Sequence, residues 1–376
     1  MELSFGKGSL GKLLGGFKTM FNKDNSFLGV DIGSSSIKIV QLRKEKERAI
    51  LETYGEIATG PYAKMSIGQN VKLSASAAAE AIKDIMKEAN AKAKLARVAI
   101  PLRSSFVKII SLPFVSEKNV ADVIMMEARR HIPVPISEVV LDWWVIPKAG
   151  GDEIVGEDGG APEKGGTTEV LIVAIHNDVI SEYKNIMALA GLTASAYEIE
   201  SFSMIRSAIG RGSSTIAVIN FGAATTKIAI VDYGIMKGSH LINKGSQDIT
   251  MALSQSLGVD FTKAEEIKIG IGLSDLPEHK EIVEVMEPIL DYTLHEANIF
   301  LKDFQNKYGR AISKVVFTGG GSLLGGLVNM GVKKLALEVE YSNPFSKVEH
   351  PVFLTEVLKK SGASFSEAVG LALGGM

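Results

Sequence analysis

The sequence predicts a two-lobed α/β protein with an inserted subdomain, on three observations. At 376 residues the chain exceeds what one ordinary core organises, so two lobes, or one domain with a large insertion, are expected. A strand-turn-strand unit close to the start returns about 190 residues later with the same layout of polar residue, glycine, small residues and hydroxyls. Between the two copies, Phe106 to Ala174 changes character and reads as a separate subdomain.

Phe27 to Asp31 is a short apolar strand, Gly33 to Ser36 a turn, and Ile37 to Leu42 an alternating strand, which together make a hairpin. A strand near Ala49 to Ile57 follows. Ser74 to Asn90 is helical, with Ala78, Ala81, Ile82, Ile85 and Met86 at helix spacing, and a strand at Arg97 to Pro101 comes next. The inserted segment holds strand Val107 to Leu112, helix Val120 to His131, the Pro133-Val-Pro135 break, strand Val139 to Ile146, strand Glu169 to Ile175 and helix Val179 to Ala190. Ala149 to Thr168 is rich in Gly, Asp and Glu and reads as a solvated hairpin tip or a disordered loop.

Strand Ala194 to Ile199 and helix Phe202 to Ile209 lead to the second hairpin, Thr215 to Asn220 and Thr226 to Tyr233. A helix around Asp248 to Leu257, a helical subdomain from Phe261 to Lys307, strand Lys314 to Thr318 and a last apolar helix, Phe365 to Leu373, complete the order. The expected domains are 27–102 with 191–214 as first lobe, 103–190 as insertion, 215–260 with 313–376 as second-lobe core, and 261–312 as a helical subdomain.

A formal net charge of −2 excludes a whole-protein field that would draw nucleic acid, and the absence of cysteine excludes disulfides and thiolate metal sites. The six histidines are scattered without metal-ligand spacing, so no zinc site is expected. Mean hydropathy is +0.17, yet no stretch approaches the ~20 apolar residues of a membrane span. Met1 to Asn25 mixes Phe5, Phe17 and Phe21 with Lys7, Lys12, Lys18 and Lys23, without a signal-peptide core. It is expected to stay on the protein, either docking on its own core or lying on a membrane surface.

In Asp31-Ile-Gly33-Ser34-Ser35-Ser36-Ile-Lys38 the glycine permits a tight turn, and successive N–H groups and hydroxyls offer donors to phosphate oxygens. Asp31 is placed to hold a hydrated Mg²⁺, an ion that keeps several waters and takes few carboxylates. Taken singly, such a turn is equally a plain hairpin. The second copy, Asn220-Phe-Gly222-Ala-Ala-Thr225-Thr226-Lys227, makes a pair able to clamp one polyphosphate. Gly319-Gly320-Gly321-Ser322 follows a strand, where bare backbone lets a base or ribose approach; a structural turn is the alternative. Walker and dinucleotide-binding loops are both absent.

The order of these motifs resembles the phosphate 1, phosphate 2 and adenosine motifs of the actin, heat-shock chaperone and sugar kinase superfamily, and implies an actin-like ATPase fold of duplicated RNase H-like domains. Within it the chain resembles the FtsA family and more closely the PilM family. The stretches that carry this are Leu28-Gly-Val-Asp-Ile-Gly-Ser-Ser-Ser-Ile-Lys38, Ala99-Ile-Pro-Leu102, Ser111-Leu-Pro113, Glu127-Ala-Arg-Arg-His-Ile-Pro133 and Leu141-Asp-Trp-Trp-Val145. The resemblance implies ATP and Mg²⁺ as ligands. It implies Glu200 as the side chain facing the attacking water, with helix capping the alternative. It also implies Glu265 and Lys268 as contacts of ribose and adenine, a solvated ion pair at i, i+3 being the other possibility. Where the superfamily usually has aspartate this chain has Asn220, so tight ATP binding with at most slow hydrolysis is expected, and Asn220→Asp is expected to raise turnover.

The function so implied is a cytoplasmic scaffold, peripheral at the inner membrane, that supports type IV pilus assembly. Its expected partners are the N-terminal cytoplasmic tail of a PilN-like membrane protein, held near Val98 to Leu102 and Phe106 to Leu112, and other inner-membrane platform proteins. Contact with a membrane surface through the N-terminal segment and self-association are further expectations; nucleic acid is not. The alternative is an FtsA-like membrane-associated filament-forming ATPase. A metabolic kinase would need a carboxylate base near a substrate hydroxyl, and the sequence offers no dedicated candidate.

Overall fold

The computed structural model describes residues 25–113, 120–146, 167–210 and 212–376. The expectations for Met1 to Asn25 and for Ala149 to Thr168 therefore fall, apart from their last residues, outside the described residues. Two compact units divide the chain, one over Pro101–Tyr183 and a larger one over the residues up to Ile100 and Lys184–Met376.

The larger unit begins with β1 (Ser26–Ile32), β2 (Ser36–Glu45) and β3 (Arg48–Ala58), then α1 (Ala75–Glu88) and β4 (Leu95–Ile100). Leu28 and Val30 of β1 are fully buried, and Gly29 between them is buried as well, as on a strand covered on both faces. Helix α1 starts where the Ser74 hydroxyl accepts from the Ala77 N–H, and buries the Ala78, Ala81, Ile82 and Ile85 stripe. Each of the two isoleucines contributes about 1.5–3 kcal/mol.

The smaller unit contains β5 (Ser105–Pro113), α2 (Val120–His131), β6 (Val139–Ile146) and β7 (Thr167–His176), and α3 (Asn177–Ala190) follows. Its sheet is antiparallel in the order β5-β7-β6. Ile124 and Ala128 of α2 cover it against Ile110, Leu112, Leu141, Val170 and Ile172, and Trp143 packs at the margin of that cluster.

In the larger unit β8 (Thr193–Ile199) and α4 (Glu200–Ala208) complete the first half. The second holds β9 (Ile216–Phe221), β10 (Thr226–Asp232), β11 (Ile235–Ile242), α5 (Ser246–Leu257), α6 (Phe261–Ile271), α7 (Lys280–Tyr308) and β12 (Lys314–Thr318). It continues with α8 (Leu327–Leu335), β13 (Glu338–Tyr341), α9 (Thr355–Ser361) and α10 (Ser366–Leu373). The two sheets run β3-β2-β1-β4-β8 and β11-β10-β9-β12-β13. In each, the first two pairings are antiparallel and the last two parallel. The repeat seen in two hairpins is thus a repeat of whole sheets.

The tail departs from the expected division. Residues 313–376 were all expected in the second lobe, but Phe345, Val348, Leu358, Phe365, Ala368 and Ala372 pack with Val40, Leu42 and Leu51 of the first sheet. Tyr54 of β3 takes the rings of Phe345 and Phe365 at 5.7 and 5.5 Å between centroids, a spacing at which aromatic pairs attract.

At the end of β8, Glu198 is 3% exposed and sits between Arg206 of α4, which donates from both terminal nitrogens, and Arg97 of β4 at 3.2 Å. Burial alone would raise its pKa, but the two guanidinium groups outweigh that and hold it below the usual glutamate range. Glu198→Gln is expected to destabilise the protein by about 2 kcal/mol at neutral pH, less than for a fully enclosed pair because both arginines are partly solvated. A carboxylate depressed in the fold stabilises above its unfolded pKa and loses that effect as pH falls through the folded one. Urea midpoints of the two proteins should therefore converge in acid; equal midpoints at pH 7 would sink the assignment.

Candidate functional site

Both hairpin turns open into one cavity of about 380 Å³ within the larger unit. In the first turn Gly33 N–H donates to the Ser36 carbonyl at 3.0 Å, and in the second Gly222 N–H donates to the Thr225 carbonyl at 3.0 Å. A Cβ at Gly33 would lie 2.7 Å from the Ser36 carbonyl oxygen, and one at Gly222 would lie 2.9 Å from that of Thr225, so each turn closes only around glycine. The registers agree as well: Asp31 faces Lys38 across one hairpin, and Asn220 faces Lys227 across the other.

Both loops have carbonyls tied to the chain. The Ser34 carbonyl accepts from Val71 N–H and the Thr59 hydroxyl, and the Ser35 carbonyl accepts from Thr59 N–H. The Gly222 and Ala223 carbonyls accept from the N–H groups of Ser246 and Gln247 at the start of α5. With these oxygens engaged, N–H groups and the Ser34, Ser35 and Thr225 hydroxyls are what the loops offer to a ligand, a set suited to an anion, while the Ser36 hydroxyl is taken by Lys38. The positive end of the α5 dipole abuts the second loop.

The glycine turn after β12 packs on the second hairpin. Gly319 has φ +85°, and a Cβ there would lie 2.6 Å from the Phe221 carbonyl oxygen. Gly320 has open space where its Cβ would be, which leaves bare backbone on the cavity wall. Opposite, Lys268 of α6 donates to Glu265 at 2.7 Å and to the Thr250 hydroxyl at 2.9 Å. Lys268 is nearly buried, which lowers its pKa against the pull of Glu265, so this pair is not a solvated surface contact.

Carboxylates gather at the end of the cavity lined by the two hairpins. Asp31, Glu200 and Glu367 all line the cavity, with Lys227 among them at 2.7 Å from Glu200. Burial works against the Lys227 charge, but Glu200, Glu367 and Asp31 outweigh it and hold the ammonium above the usual lysine range. Asp31 is raised by burial, with Lys38 and Lys227 opposing. Glu367 is raised to about 7 by burial and by Asp31. Lys38 is drawn aside to the Ser36 hydroxyl at 2.7 Å and to Glu56 at 3.1 Å.

The structure brings together Asp31, Gly33, Ser34, Ser35, Ser36, Lys38, Glu200, Asn220, Gly222, Thr225, Glu265, Lys268, Gly319, Gly320 and Gly321 along the cavity. It does not bring Thr226 or Ser322 there. Thr226 is fully buried and donates to the Lys244 carbonyl, and the Ser322 hydroxyl donates back to the Gly319 carbonyl at 2.7 Å. The N-cap of α4 falls on Ile199, while the Glu200 carboxylate pairs with Lys227. Glu56 and Glu367 were not singled out from the sequence. The signal for Glu367 was there, a single acid inside the apolar run Phe365 to Leu373.

Asn220 is also differently placed from expectation, because its amide donates to the Glu367 carboxylate. A lone Asn220→Asp would set two carboxylates against each other, so the expected gain in turnover does not follow from that change alone. Among the described residues no group of three or more His, Cys, Asp or Glu side chains is spaced to hold a metal by itself. The donors present, a carboxylate, an amide and hydroxyls, fit a hydrated Mg²⁺ whose remaining ligands are water and phosphate.

A family model described as type IV pilus assembly protein PilM matches residues 29–376. The solved PilM–PilN type IV pilus biogenesis complex is similar at TM-score 0.77 and 23% identity, over 93% of this chain and 98% of that one. Ethanolamine utilization protein EutJ from Carboxydothermus hydrogenoformans is similar at TM-score 0.53 and 16% identity, over 93% and 89%. Together with the repeated sheets, these likenesses make the fold two-lobed and actin-like.

Proposed function

Because the chain belongs to the PilM family of type IV pilus assembly proteins, we propose that it is an ATP-binding scaffold that holds the N-terminal tail of a PilN-like inner-membrane protein. The observation that carries the nucleotide half is the pair of identically built loops at Gly33 and Gly222 facing one cavity. On this reading their N–H groups and hydroxyls take the phosphates from both sides, the bare backbone at Gly320 borders the adenosine, and Glu265 with Lys268, which line the same cavity, meet ribose and base. Asp31 and Asn220 hold water on an accompanying Mg²⁺, which neutralises phosphate charge. Glu200 lines the phosphate end, where its carboxylate is occupied by the ion pair with Lys227, so at most slow hydrolysis is expected.

ATP then acts as an effector. Residues of the first half reach across to the second: Asn70 N–H donates to the Gln247 side chain, and Gly68 lies beside Glu265 and Phe261. A ligand gripped by both loops favours this closed form, and a partner that prefers it must tighten ATP by the same factor. The partner half rests on family membership and on the solved PilM–PilN complex. Among the described residues no helix is long and apolar enough to cross a membrane. Attachment to the inner membrane through the PilN-like partner is part of the same proposal.

Calorimetric titration of the full chain with Mg-ATP, and with a PilN-tail peptide in the presence and absence of Mg-ATP, tests both halves. Mg-ATP is expected to bind and to tighten the peptide roughly 5- to 150-fold. Peptide affinity indifferent to ATP would remove the effector role. No peptide binding in either condition would turn attention to nucleotide-dependent filaments, visible by sedimentation.

A further inference from the structure

The two halves repeat strand for strand, so position 31 of the first corresponds to position 220 of the second, each facing a lysine on the return strand of its hairpin. The first position carries a carboxylate and the second an amide. The amide does not stand alone there. Its Nδ2 donates to Oε1 of Glu367, a residue 147 positions on, at the start of α10. Glu367 is 5% exposed, and it lines the same cavity as Asp31 and Asn220. A carboxylate in an otherwise apolar helix is costly to bury, and neither the packing of α10 nor the first sheet calls for one at this point.

Resting on the nucleotide-binding function above, we propose that Glu367 is the second acid of the cation-and-phosphate end of the cleft: the charge absent from position 220 is restored through Asn220 by a carboxylate from the C-terminal helix. The ligand it serves is the hydrated divalent cation that accompanies a nucleoside triphosphate. Asp31 approaches that cation from one hairpin. Asn220, its carbonyl oxygen left as acceptor while its N–H is taken by Glu367, approaches from the other. Glu367 polarises and orients the amide and adds the negative charge that an amide lacks, which makes it a positioning residue. Gly319 packs closely beside this amide, where a Cβ would lie 2.8 Å from Asn220 Oδ1.

The test is the affinity of the full chain for ATP measured by calorimetry with Mg²⁺ and with EDTA, in wild type, in Glu367→Gln and in the exchanged pair Asn220→Asp/Glu367→Gln. Glu367→Gln keeps the size of the side chain and is checked for an unchanged melting profile. The ratio of the two affinities should fall roughly 10- to 100-fold in Glu367→Gln. Affinity in EDTA should hold or improve, because a negative charge near the phosphates is gone. The exchanged pair, which keeps the hydrogen bond with its direction reversed and puts the acid on the repeat position, should regain most of the Mg²⁺ enhancement. A Glu367→Gln ratio equal to wild type overturns the role of Glu367 while leaving nucleotide binding intact. Absence of ATP binding by wild type in both conditions overturns both. Loss of affinity in EDTA as large as in Mg²⁺, without recovery in the exchanged pair, assigns Glu367 to packing and overturns the proposal.

Discussion

Gly370→Val is expected to prevent stable folding of the larger unit. Gly370 sits midway along α10, where a Cβ would lie 1.8 Å from the Ser203 carbonyl oxygen and 2.4 Å from its carbonyl carbon. Those are backbone atoms of α4, held in turn by the Arg206 guanidinium on the Gly370 carbonyl and by the Ser207 hydroxyl on the Ser366 carbonyl. On its other side α10 is pressed to β1 so closely that a Cβ on Gly29 would lie 2.1 Å from the Ala368 carbonyl oxygen. The helix therefore has no direction in which to yield. Displacing it uncovers Ala368, Val369, Leu371 and Ala372, all fully buried, and removes Glu367 from the cleft. A cost above roughly 4 kcal/mol is expected, a large part of the ~5–15 kcal/mol that keeps a domain folded. Thermal denaturation followed by circular dichroism checks this; a melting temperature within a few degrees of wild type would show that α10 docks less tightly than the geometry requires.

Lys227→Met should have the next largest effect, through charge and not volume. Lys227 is the cation that Glu200, Glu367 and Asp31 share, and its side chain is only 15% exposed. Methionine occupies similar space and leaves the carboxylates facing one another with Lys38 as the remaining nearby cation of Asp31. Loss of about 2–4 kcal/mol at pH 7.5 is expected from breaking a buried pair. The pH dependence has a definite sign. Glu367 already titrates near 7 in the fold, above an unfolded glutamate, and losing Lys227 raises it further. A carboxyl raised in the fold is accommodated at low pH and opposes folding as pH rises towards its folded value. The deficit of the variant should therefore shrink between pH 7.5 and pH 6. A deficit that grows on acidification would mean that Lys227 does not serve these acids.

Much of the fold was legible because its signals are local. A short apolar run marks β1, alternation marks β2, the Ala78-Ile82-Ile85 stripe marks α1, and a glycine followed by small and hydroxyl residues marks both hairpin turns. Two strands escaped. β11 is a half-exposed edge strand interrupted by Gly238 and His240, and β13 is an edge strand of four residues, so neither shows a face with a period. The domain division failed at the tail for a related reason. Nothing local tells Phe345 and Phe365 which lobe will cover them, and both rings pack on Tyr54, about 290 to 310 residues earlier in the chain.

The sequence by itself determined the two loops of the site, since a turn that closes only around glycine, with hydroxyls beside it, is written in consecutive residues. Tertiary structure alone decided which charges meet there. Glu56 reaches Lys38 across a strand pair, Glu200 reaches Lys227 from a different helix, and Glu367 reaches Asn220 from the far end of the chain. The reason is range. Backbone and periodicity preferences act over a few residues, whereas burial and Coulomb forces act between whatever groups the packed fold sets side by side.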